Sequence, residues 1–284
     1  EATIPNINHT LAAIGIDELD FMKAVDGTFK QSIRYVNWLD NKGEFYHHPF
    51  SRFGTGAHDD AGRRWLMSDR SVPFMNTISA QPILCEMGLA PKVFERVDLG
   101  IPVGYAFHMD ALKFADYLHA FATARGVTDY EDHVISVDMH ENGNIAAVNT
   151  ESGKRLEADL FVDCTGFAAQ LIEKKLGVGF TDCSRWLLCD RAVTMNVPHD
   201  HYYPGYVRPY TTASALSAGW VWEIPLQTRR SLGYVHSSTH ISDDEAEREL
   251  RAFEGNHSDS LPTRIVDFVV GRREQPWTAN CVSI

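Results

Sequence analysis

The chain has 284 residues, of which 44% are hydrophobic and 11% aromatic, so its length and composition suit a protein with a packed core. Its net charge is −12 at pH 7 and no basic cluster stands out, which argues against nucleic acid as a partner, because phosphate binding depends on Lys and Arg. No run of roughly 18 to 20 apolar residues and no signal peptide is seen, so we expect no membrane span and a cytoplasmic location.

The cysteines and histidines give no pattern typical of a disulfide framework or a metal site. The five cysteines are odd in number and contain no C-x-x-C pair, so we expect them to be reduced and mostly buried. His199 and His201 would share a strand face, but no further ligands follow at a recognisable spacing, and no metal is predicted. No G-x-S-x-G motif occurs, and no Ser-His-Asp arrangement is visible in the sequence.

Both ends of the chain resemble the interior of a protein. The chain opens at Glu1 without Met and stops in the apolar run Val282-Ser283-Ile284, whereas natural ends are usually polar. No repeat, low-complexity tract or long linker divides it. We therefore expect residues 1–284 to be a single internal segment of a longer polypeptide, without an internal boundary.

The first half of the chain gives three structural predictions. Residues 17 to 26 predict a short helix that begins at Asp17. The period of two from Phe29 to Trp38 predicts a strand, with Lys30 on the face opposite Ile33. Residues 51 to 105 are rich in Gly, Pro, Asp and Arg and predict an irregular excursion without regular elements.

The middle of the chain predicts two helices, three strands and a turn. Residues 110 to 125 predict a helix capped by Gly126, with an apolar face made of Ala111, Leu112, Ala115, Leu118 and Ala122. Strands are predicted at 134–139, 145–149 and 156–162. The last of these leads through Asp163-Cys164-Thr165-Gly166 into a helix at about 168–176, a geometry that suits close approach to a dinucleotide.

The later part predicts a hairpin and a capped helix. Residues 219–226 and 232–237 predict its two strands. Ser242 and Glu245 form a capping-box pattern that opens a helix carrying Ala246, Leu250 and Phe253. The predicted fold class is mixed α/β, or α+β, with substantial antiparallel content.

The hairpin also contains the most specific motif in the chain, Trp220-x-Trp222-x-Ile224-Pro225. Indoles at i and i+2 of a strand lie on one face and can form a flat apolar wall, although such a pair often only fills a core. The motif resembles the W-x-W-x-I-P signature of flavin-dependent tryptophan halogenases. The other matches to that family occur in the family's order along essentially the whole chain.

Those matches imply roles for further residues. Glu1-Ala2-Thr3-Ile4-Pro5 resembles the strap that lies along the flavin, and Gly27-x-Phe29-Lys30 resembles the segment carrying the catalytic lysine, here Lys30. Asp163 to Gly166 is similar to the family's D-C-S-G, and Val134 lies where relatives contact the flavin's adenine end. The resemblance thus implies cofactor contacts from Glu1, Ala2, Thr3, Val134 and Gly166.

The resemblance implies a glutathione-reductase-like, FAD-binding monooxygenase or halogenase fold, present here incompletely. A separate flavin reductase would supply FADH2, which with O2 and chloride or bromide gives hypohalous acid. Lys30 would direct that oxidant, by a hydrogen bond or as a chloramine, to an aromatic ring. The two indoles would screen this ring from the flavin. A homodimer is one expected assembly, and the segment alone is expected to be inactive.

The substrate region departs from the family pattern. Phe45-Tyr46-His47 begins like the F-Y-H of tryptophan halogenases but continues His48-Pro49-Phe50. We predict that His47, Pro49 and Phe50 contact substrate, which could be tryptophan, indole or another electron-rich aromatic. Two alternative functions stay open: a flavin-dependent aromatic hydroxylase of the same fold, and a non-catalytic module that binds an aromatic ligand.

Overall fold

The computed structural model describes residues 1–52, 60–93, 103–199, 207–255 and 258–284. Within it, Glu1–Ala122 and Arg191–Val266 form a first compact unit, and Thr123–Asp190 and Asp267–Ile284 form a second. The described helices are α1 (Asn6–Ala13), α2 (Glu18–Ala24), α3 (Ala61–Leu66), α4 (Phe74–Ile78), α5 (Gln81–Glu86), α6 (Ala111–Thr123) and α7 (Asp243–Glu254). None of these helices is long and apolar enough to cross a membrane.

The described strands alternate with the helices in the first unit and dominate the second. In chain order they are β1 (Thr28–Lys30), β2 (Ser32–Val36), β3 (Phe45–Pro49), β4 (Ala106–His108), β5 (Val134–Met139), β6 (Ile145–Thr150), β7 (Arg155–Leu156), β8 (Phe161–Asp163), β9 (Phe180–Asp182), β10 (Arg191–Pro198), β11 (Thr211–Leu216), β12 (Gly219–Pro225), β13 (Arg229–His236), β14 (Thr263–Asp267), β15 (Gly271–Arg273), β16 (Trp277–Thr278) and β17 (Cys281–Ser283). The predicted mixed α/β class is confirmed.

A seven-stranded sheet in the order β14-β10-β13-β12-β11-β2-β3 forms the centre of the first unit. The β11–β2 pair is parallel, and β12 and β13 form the predicted antiparallel hairpin. Alternate residues of β10, β12 and β13 pack against α7, whose capping box of Ser242 and Glu245 is confirmed. Because side chains alternate across a sheet, the other face of the same strands is available for a site.

A second core of this unit lies around the β1–β4 pair and the helices α1, α2 and α6. The predicted helices at 17–26 and 110–125 are both present, but the predicted apolar face of α6 is wrong in part. Leu112 is 79% exposed, whereas Phe114, Tyr117, Leu118 and Phe121 pack against the core. Aromatic rings bury more apolar surface than alanines, so they set the orientation of the helix.

The strand predicted from Phe29 to Trp38 is interrupted at Gln31. The Gln31 N–H donates to Pro209 O at 2.8 Å, and Gln31 O accepts from Phe50 N at 3.1 Å. Lys30 consequently belongs to β1, while Ile33 and Tyr35 belong to β2. The prediction that Lys30 faces away from Ile33 is wrong, because this break shifts the alternation between the two strands.

Residues 51 to 105 contain more regular structure than their composition predicts. Helices α3, α4 and α5 lie in this stretch, so the prediction of an excursion without elements is wrong. These helices have only five or six residues. A helix of that length shows less than two full turns of periodicity, and its sequence pattern is correspondingly weak.

The second unit contains the sheet β5-β6-β7, the sheet β16-β17-β8 and the pair β15-β9. The strands predicted at 134–139 and 145–149 are confirmed, but the one predicted at 156–162 divides between two sheets. The α-helix predicted at about 168–176 is absent from these described residues, which form a 3₁₀ turn at Gly166–Ala168 and further turns. The Asp163 carboxylate accepts from Leu171 N and Ile172 N at 2.9 and 2.8 Å, and Ala169 has a left-handed φ of +41°, so the backbone follows a non-helical path here.

The cysteines are free thiols, as predicted, but not mostly buried. Cys85 and Cys281 are buried, while Cys164 is exposed in the turn after β8 and two others are half-buried. Cys164 is exposed because the backbone leaves the sheet at that point.

Candidate active site

The open face of the seven-stranded sheet carries a cavity of about 800 Å³. Residues from β2, β10, β11, β12, β13 and β14 line it, together with Lys30 from β1 and the backbone segment that begins the chain. Its lining is Glu1, Ala2, Lys30, Ile33, Tyr35, Trp38, Thr194, Asn196, Thr211, Ala213, Trp220, Trp222, Ile224, Ser231, Arg264 and Val266. All of these residues belong to the first unit.

Three indoles form one wall of the cavity. Trp220 and Trp222 share the open face of β12 as predicted, with ring centroids 6.4 Å apart. Trp38 lies 6.5 Å from Trp220 between ring centroids and donates through Nε1 to Ala213 O at 2.9 Å. The sequence did not indicate that Trp38 belongs to this wall, because the predicted strand places Trp38 on the face opposite Tyr35.

A glycine makes room for this wall. Gly233 on β13 pairs with Trp222 on β12, and a Cβ at position 233 would overlap the indole ring. The ring of Trp222 therefore lies across the backbone of the neighbouring strand. The hairpin register could have indicated Gly233, because a residue directly opposite a large aromatic side chain must leave space for it.

Lys30 lies in the same cavity and is only 5% exposed. Its Nζ donates to Thr3 O at 3.0 Å and lies 5.4 Å from the centroid of the Phe50 ring. Burial lowers the pKa of Lys30 from 10.5 to about 8, because desolvation disfavours the ammonium form. The side chain is thus held away from bulk solvent and close to an aromatic ring, and a proton can leave it near neutral pH.

The segment that touches Lys30 is itself fixed. Thr3 N donates to Phe107 O at 3.0 Å, so this segment lies along the edge of β4 opposite β1. The carboxylate of Glu1 accepts from Arg229, with Nη2 and Oε1 2.6 Å apart. The predicted cofactor residues Glu1, Ala2 and Thr3 are therefore brought together with Lys30.

The predicted substrate residues separate into two groups. Phe50 is close to Lys30, and Pro49 ends β3 half-buried. His47 instead lines a different cavity of about 760 Å³, together with Glu86 and residues of α4 and α5. The structure does not bring His47 together with Lys30.

His47 belongs to a serine–histidine–glutamate arrangement that the sequence analysis did not expect. Ser32 Oγ lies 2.7 Å from His47 Nδ1, and His47 Nε2 lies 2.9 Å from Glu86 Oε1. No Ser-His-Asp arrangement is visible in the sequence, and this set with glutamate gave no signal either, because Glu86 comes from α5, 39 residues after His47. Ser32 is completely buried, so no substrate carbonyl can reach its hydroxyl, and the arrangement lacks the access that nucleophilic catalysis needs.

The other predicted cofactor residues lie in the second unit. Val134 begins β5 and is half-exposed, and Gly166 is exposed with φ +60°, a left-handed conformation that glycine adopts without strain. Strands β8 and β17 pair in parallel, so their carboxyl ends lie side by side just before the Gly166 turn. This edge has the geometry at which open sheets bind dinucleotides, and it fits an FAD contact.

The described residues contain no group of three or more His, Cys, Asp or Glu that could hold a metal ion. His201, the second histidine of the candidate pair, lies outside the described residues.

The tryptophan halogenase family model matches residues 1–284. The tryptophan 7-halogenase RebH of Lentzea aerocolonigenes is 36% identical over the whole of this chain and 56% of its own length. The tryptophan 6-halogenase ThaL of Streptomyces albogriseolus is 33% identical with the same shares. The chain thus spans just over half the length of these relatives.

Solved structures agree with this assignment. The tryptophan 6-halogenase SttH of Streptomyces toxytricini superposes with a TM-score of 0.92 at 34% identity, over all of this chain and 57% of that one. BrvH, a flavin-dependent halogenase from a Brevundimonas species, superposes with a TM-score of 0.87 at 34% identity, over all of this chain and 58% of that one. The sequence and the fold together show that the chain belongs to the tryptophan halogenase family.

Proposed function

We propose that this chain is part of an FAD-dependent halogenase that chlorinates or brominates tryptophan, indole or a similar electron-rich aromatic ring. The observation that supports the proposal most directly is that buried Lys30 and the indoles of Trp220 and Trp222 line one cavity. A flavin-dependent hydroxylase would need neither the buried lysine nor the pair of indoles. The substrates and partners named here are those of the full-length enzyme.

Lys30 is proposed to hold the halogenating species beside the ring. With a pKa of about 8, roughly a tenth of the Lys30 side chains are neutral amines at neutral pH. Such a group donates a hydrogen bond to hypohalous acid or reacts with it to form a chloramine and water. The contacts with Thr3 O and the Phe50 ring restrict its position, which suits delivery to a single ring carbon.

FAD, reduced by a separate flavin reductase, would supply hypohalous acid from O2 and chloride or bromide. Glu1, Ala2, Thr3, Val134 and Gly166 are the proposed contacts of this cofactor. Trp220 and Trp222, with Ile224 and Pro225 completing the motif, would keep the aromatic substrate apart from the flavin. Phe50 is proposed to contact the substrate, and a homodimer and a cytoplasmic location belong to the same proposal.

The test replaces Lys30 in the full-length enzyme supplied with reductase, NADH, FAD and bromide. We expect Lys30→Ala to lower formation of brominated tryptophan or indole by at least about 100-fold while flavin oxidation continues, because the oxidant forms but is not directed. Lys42→Ala, which removes an exposed lysine paired with Asp40, should leave product formation unchanged.

Mass spectrometry of the products distinguishes the alternatives. Hydroxylated product without bromine would indicate the aromatic hydroxylase. Affinity for an aromatic ligand, without any flavin-dependent product, would indicate the binding module. Undiminished bromination by Lys30→Ala would remove Lys30 from the mechanism.

A further inference from the structure

Three buried side chains form a hydrogen-bonded chain next to the proposed active site. His108 on β4 is completely buried, with Nδ1 3.0 Å from Thr28 Oγ1 and Nε2 2.9 Å from Thr211 Oγ1. Thr28 Oγ1 also lies 2.6 Å from Pro225 O. These hydrogen bonds therefore join β1, β4 and β11 to the end of β12, which carries the tryptophan pair.

The positions of the protons in these hydrogen bonds follow from the last acceptor, the carbonyl oxygen of Pro225. A carbonyl oxygen can only accept, so the single Thr28 hydroxyl proton is donated to Pro225 O. Thr28 Oγ1 must then accept from His108, which places a proton on His108 Nδ1. In a neutral imidazole the other nitrogen is a bare acceptor, so Thr211 donates its hydroxyl proton to Nε2.

Two features favour the neutral imidazole. Burial lowers the pKa of His108 well below its ordinary value, and the positive charge of Lys30 acts in the same direction. A charged imidazole would also need to donate from both nitrogens, and Thr211 would lose its acceptor. With the neutral Nδ1–H tautomer, each donor in this series of hydrogen bonds has an acceptor.

The hydrogen bonds of Thr28, His108 and Thr211 fix the strand that carries Lys30. Thr28 lies two residues before Lys30 on β1, and Lys30 pairs with Ala106, two residues before His108 on β4. Ala2 bridges His108 from the other edge of β4, next to the Thr3 carbonyl that accepts from Lys30 Nζ. Thr211, at the other end of this series of hydrogen bonds, lines the same cavity as Lys30.

We propose that His108, as a neutral Nδ1–H imidazole bonded to Thr28 and Thr211, is a positioning residue that fixes the amine of Lys30 in the cavity. This inference rests on the proposed function, because it assigns His108 to the orientation of the same lysine. His108 does not line the cavity and acts through Thr28 and β1.

The first test needs no turnover and uses the wild-type full-length protein. ¹⁵N NMR of histidine-labelled protein should show His108 protonated at Nδ1 and bare at Nε2, without titration between about pH 6 and about pH 8. A proton on Nε2, or titration within that range, would overturn the proposed tautomer.

The second test measures the pKa of Lys30 from the pH dependence of its acylation, followed by mass spectrometry. We expect His108→Leu to raise this pKa from about 8 towards 10.5, because a loosened β1 lets the amine reach water. His108→Asn keeps a donor for Thr28 and should restore most of the wild-type value. Thr211→Val should raise the pKa by less than His108→Leu does.

A buried histidine elsewhere in the first unit supplies the control. His236 is equally buried, but its Nε2 lies 3.2 Å from Asp243 Oδ1, and its contacts do not involve Lys30. His236→Leu should lower the stability yet leave the pKa of Lys30 unchanged. An equal rise of that pKa in both variants, or no rise in His108→Leu, would reduce His108 to a structural residue.

Activity separates this inference from the proposed function. In full-length enzyme, His108→Leu should lower kcat for halogenation by about 10-fold or more with little change in KM, since the substrate surface is intact. An unchanged kcat in folded His108→Leu would overturn the inference alone. Hydroxylated product without halogen would overturn the proposed function, while the acylation and NMR results would still decide the role of His108.

Discussion

Lys30 is kept in the cavity at a cost in stability, and that cost depends on pH. Its pKa is about 8 in the native state and returns to about 10.4 on unfolding. Between these values the unfolded chain binds more protons, so the free energy of unfolding rises with pH. Below about pH 8 both states carry the charge, and the native state bears the full cost of burying it.

The free energy of unfolding can be compared between wild-type full-length protein and Lys30→Met, which keeps about the length of the side chain without its charge. Between about pH 8 and about pH 10.5 the wild-type protein should gain about 3 kcal/mol relative to the variant. Denaturant unfolding at a series of pH values measures both curves. Parallel curves would mean that the Lys30 amine is solvated in the native state.

Individual residues also show what a sequence can predict. The common face of Trp220 and Trp222 was predictable because strand alternation depends only on neighbours in the chain. The position of His47 was not, because it is decided by Glu86, 39 residues away on α5. The chain of Thr28, His108 and Thr211 gave no signal either, since its members are far apart in sequence and each is ordinary by itself.

Among the elements, the β12–β13 hairpin determines the shape of the proposed active site. Gly233 leaves space for the indole of Trp222, so Gly233→Ala should displace that ring into the cavity. We expect a loss of about 1 to 3 kcal/mol in stability, which is typical of overpacking. Product formation should fall with it, because the displaced ring occupies substrate space.

The measurements are denaturant unfolding, tryptophan fluorescence and product analysis of the full-length enzyme. Gly62→Ala is the matched control, since a Cβ at this helical position meets nothing within 4 Å and should be neutral or slightly stabilising. Wild-type fluorescence and activity in Gly233→Ala would show that the ring of Trp222 does not depend on this glycine.

Longer elements with a strong pattern were predicted well, and short ones were not. Helix α6 and the capped helix α7 have three or more turns, and the β12–β13 hairpin has clear turn signals. The helix expected after Gly166 is absent: Ala169 has a left-handed φ of +41°, and the Asp163 carboxylate accepts from the Ile172 N–H, which a helix would bond to a backbone carbonyl. Such competition between a side chain and the helix is decided by tertiary contacts.

Over the whole first unit, the two faces of the seven-stranded sheet have different tasks. Val193, Val221 and Leu232 face α7 and form a closed apolar core, whereas Trp220 and Trp222 face the cavity. Substitutions on the first face should therefore change stability, and substitutions on the second should change chemistry. The interior of a sheet permits this division because neighbouring residues point to opposite sides.

Leu250 on α7 tests that division, since it is fully buried against the sheet face opposite the cavity. Leu250→Ala should lower the free energy of unfolding by about 2 to 5 kcal/mol, the usual cost of a cavity in a core. Phe253→Ala, on the half-exposed side of the same helix, should cost less. Below the unfolding transition, halogenated product per folded molecule should equal that of the wild-type enzyme in both variants. If Leu250→Ala instead reduced turnover without reducing stability, the two faces would be coupled, and the cavity could not be treated as a site carried by an independent core.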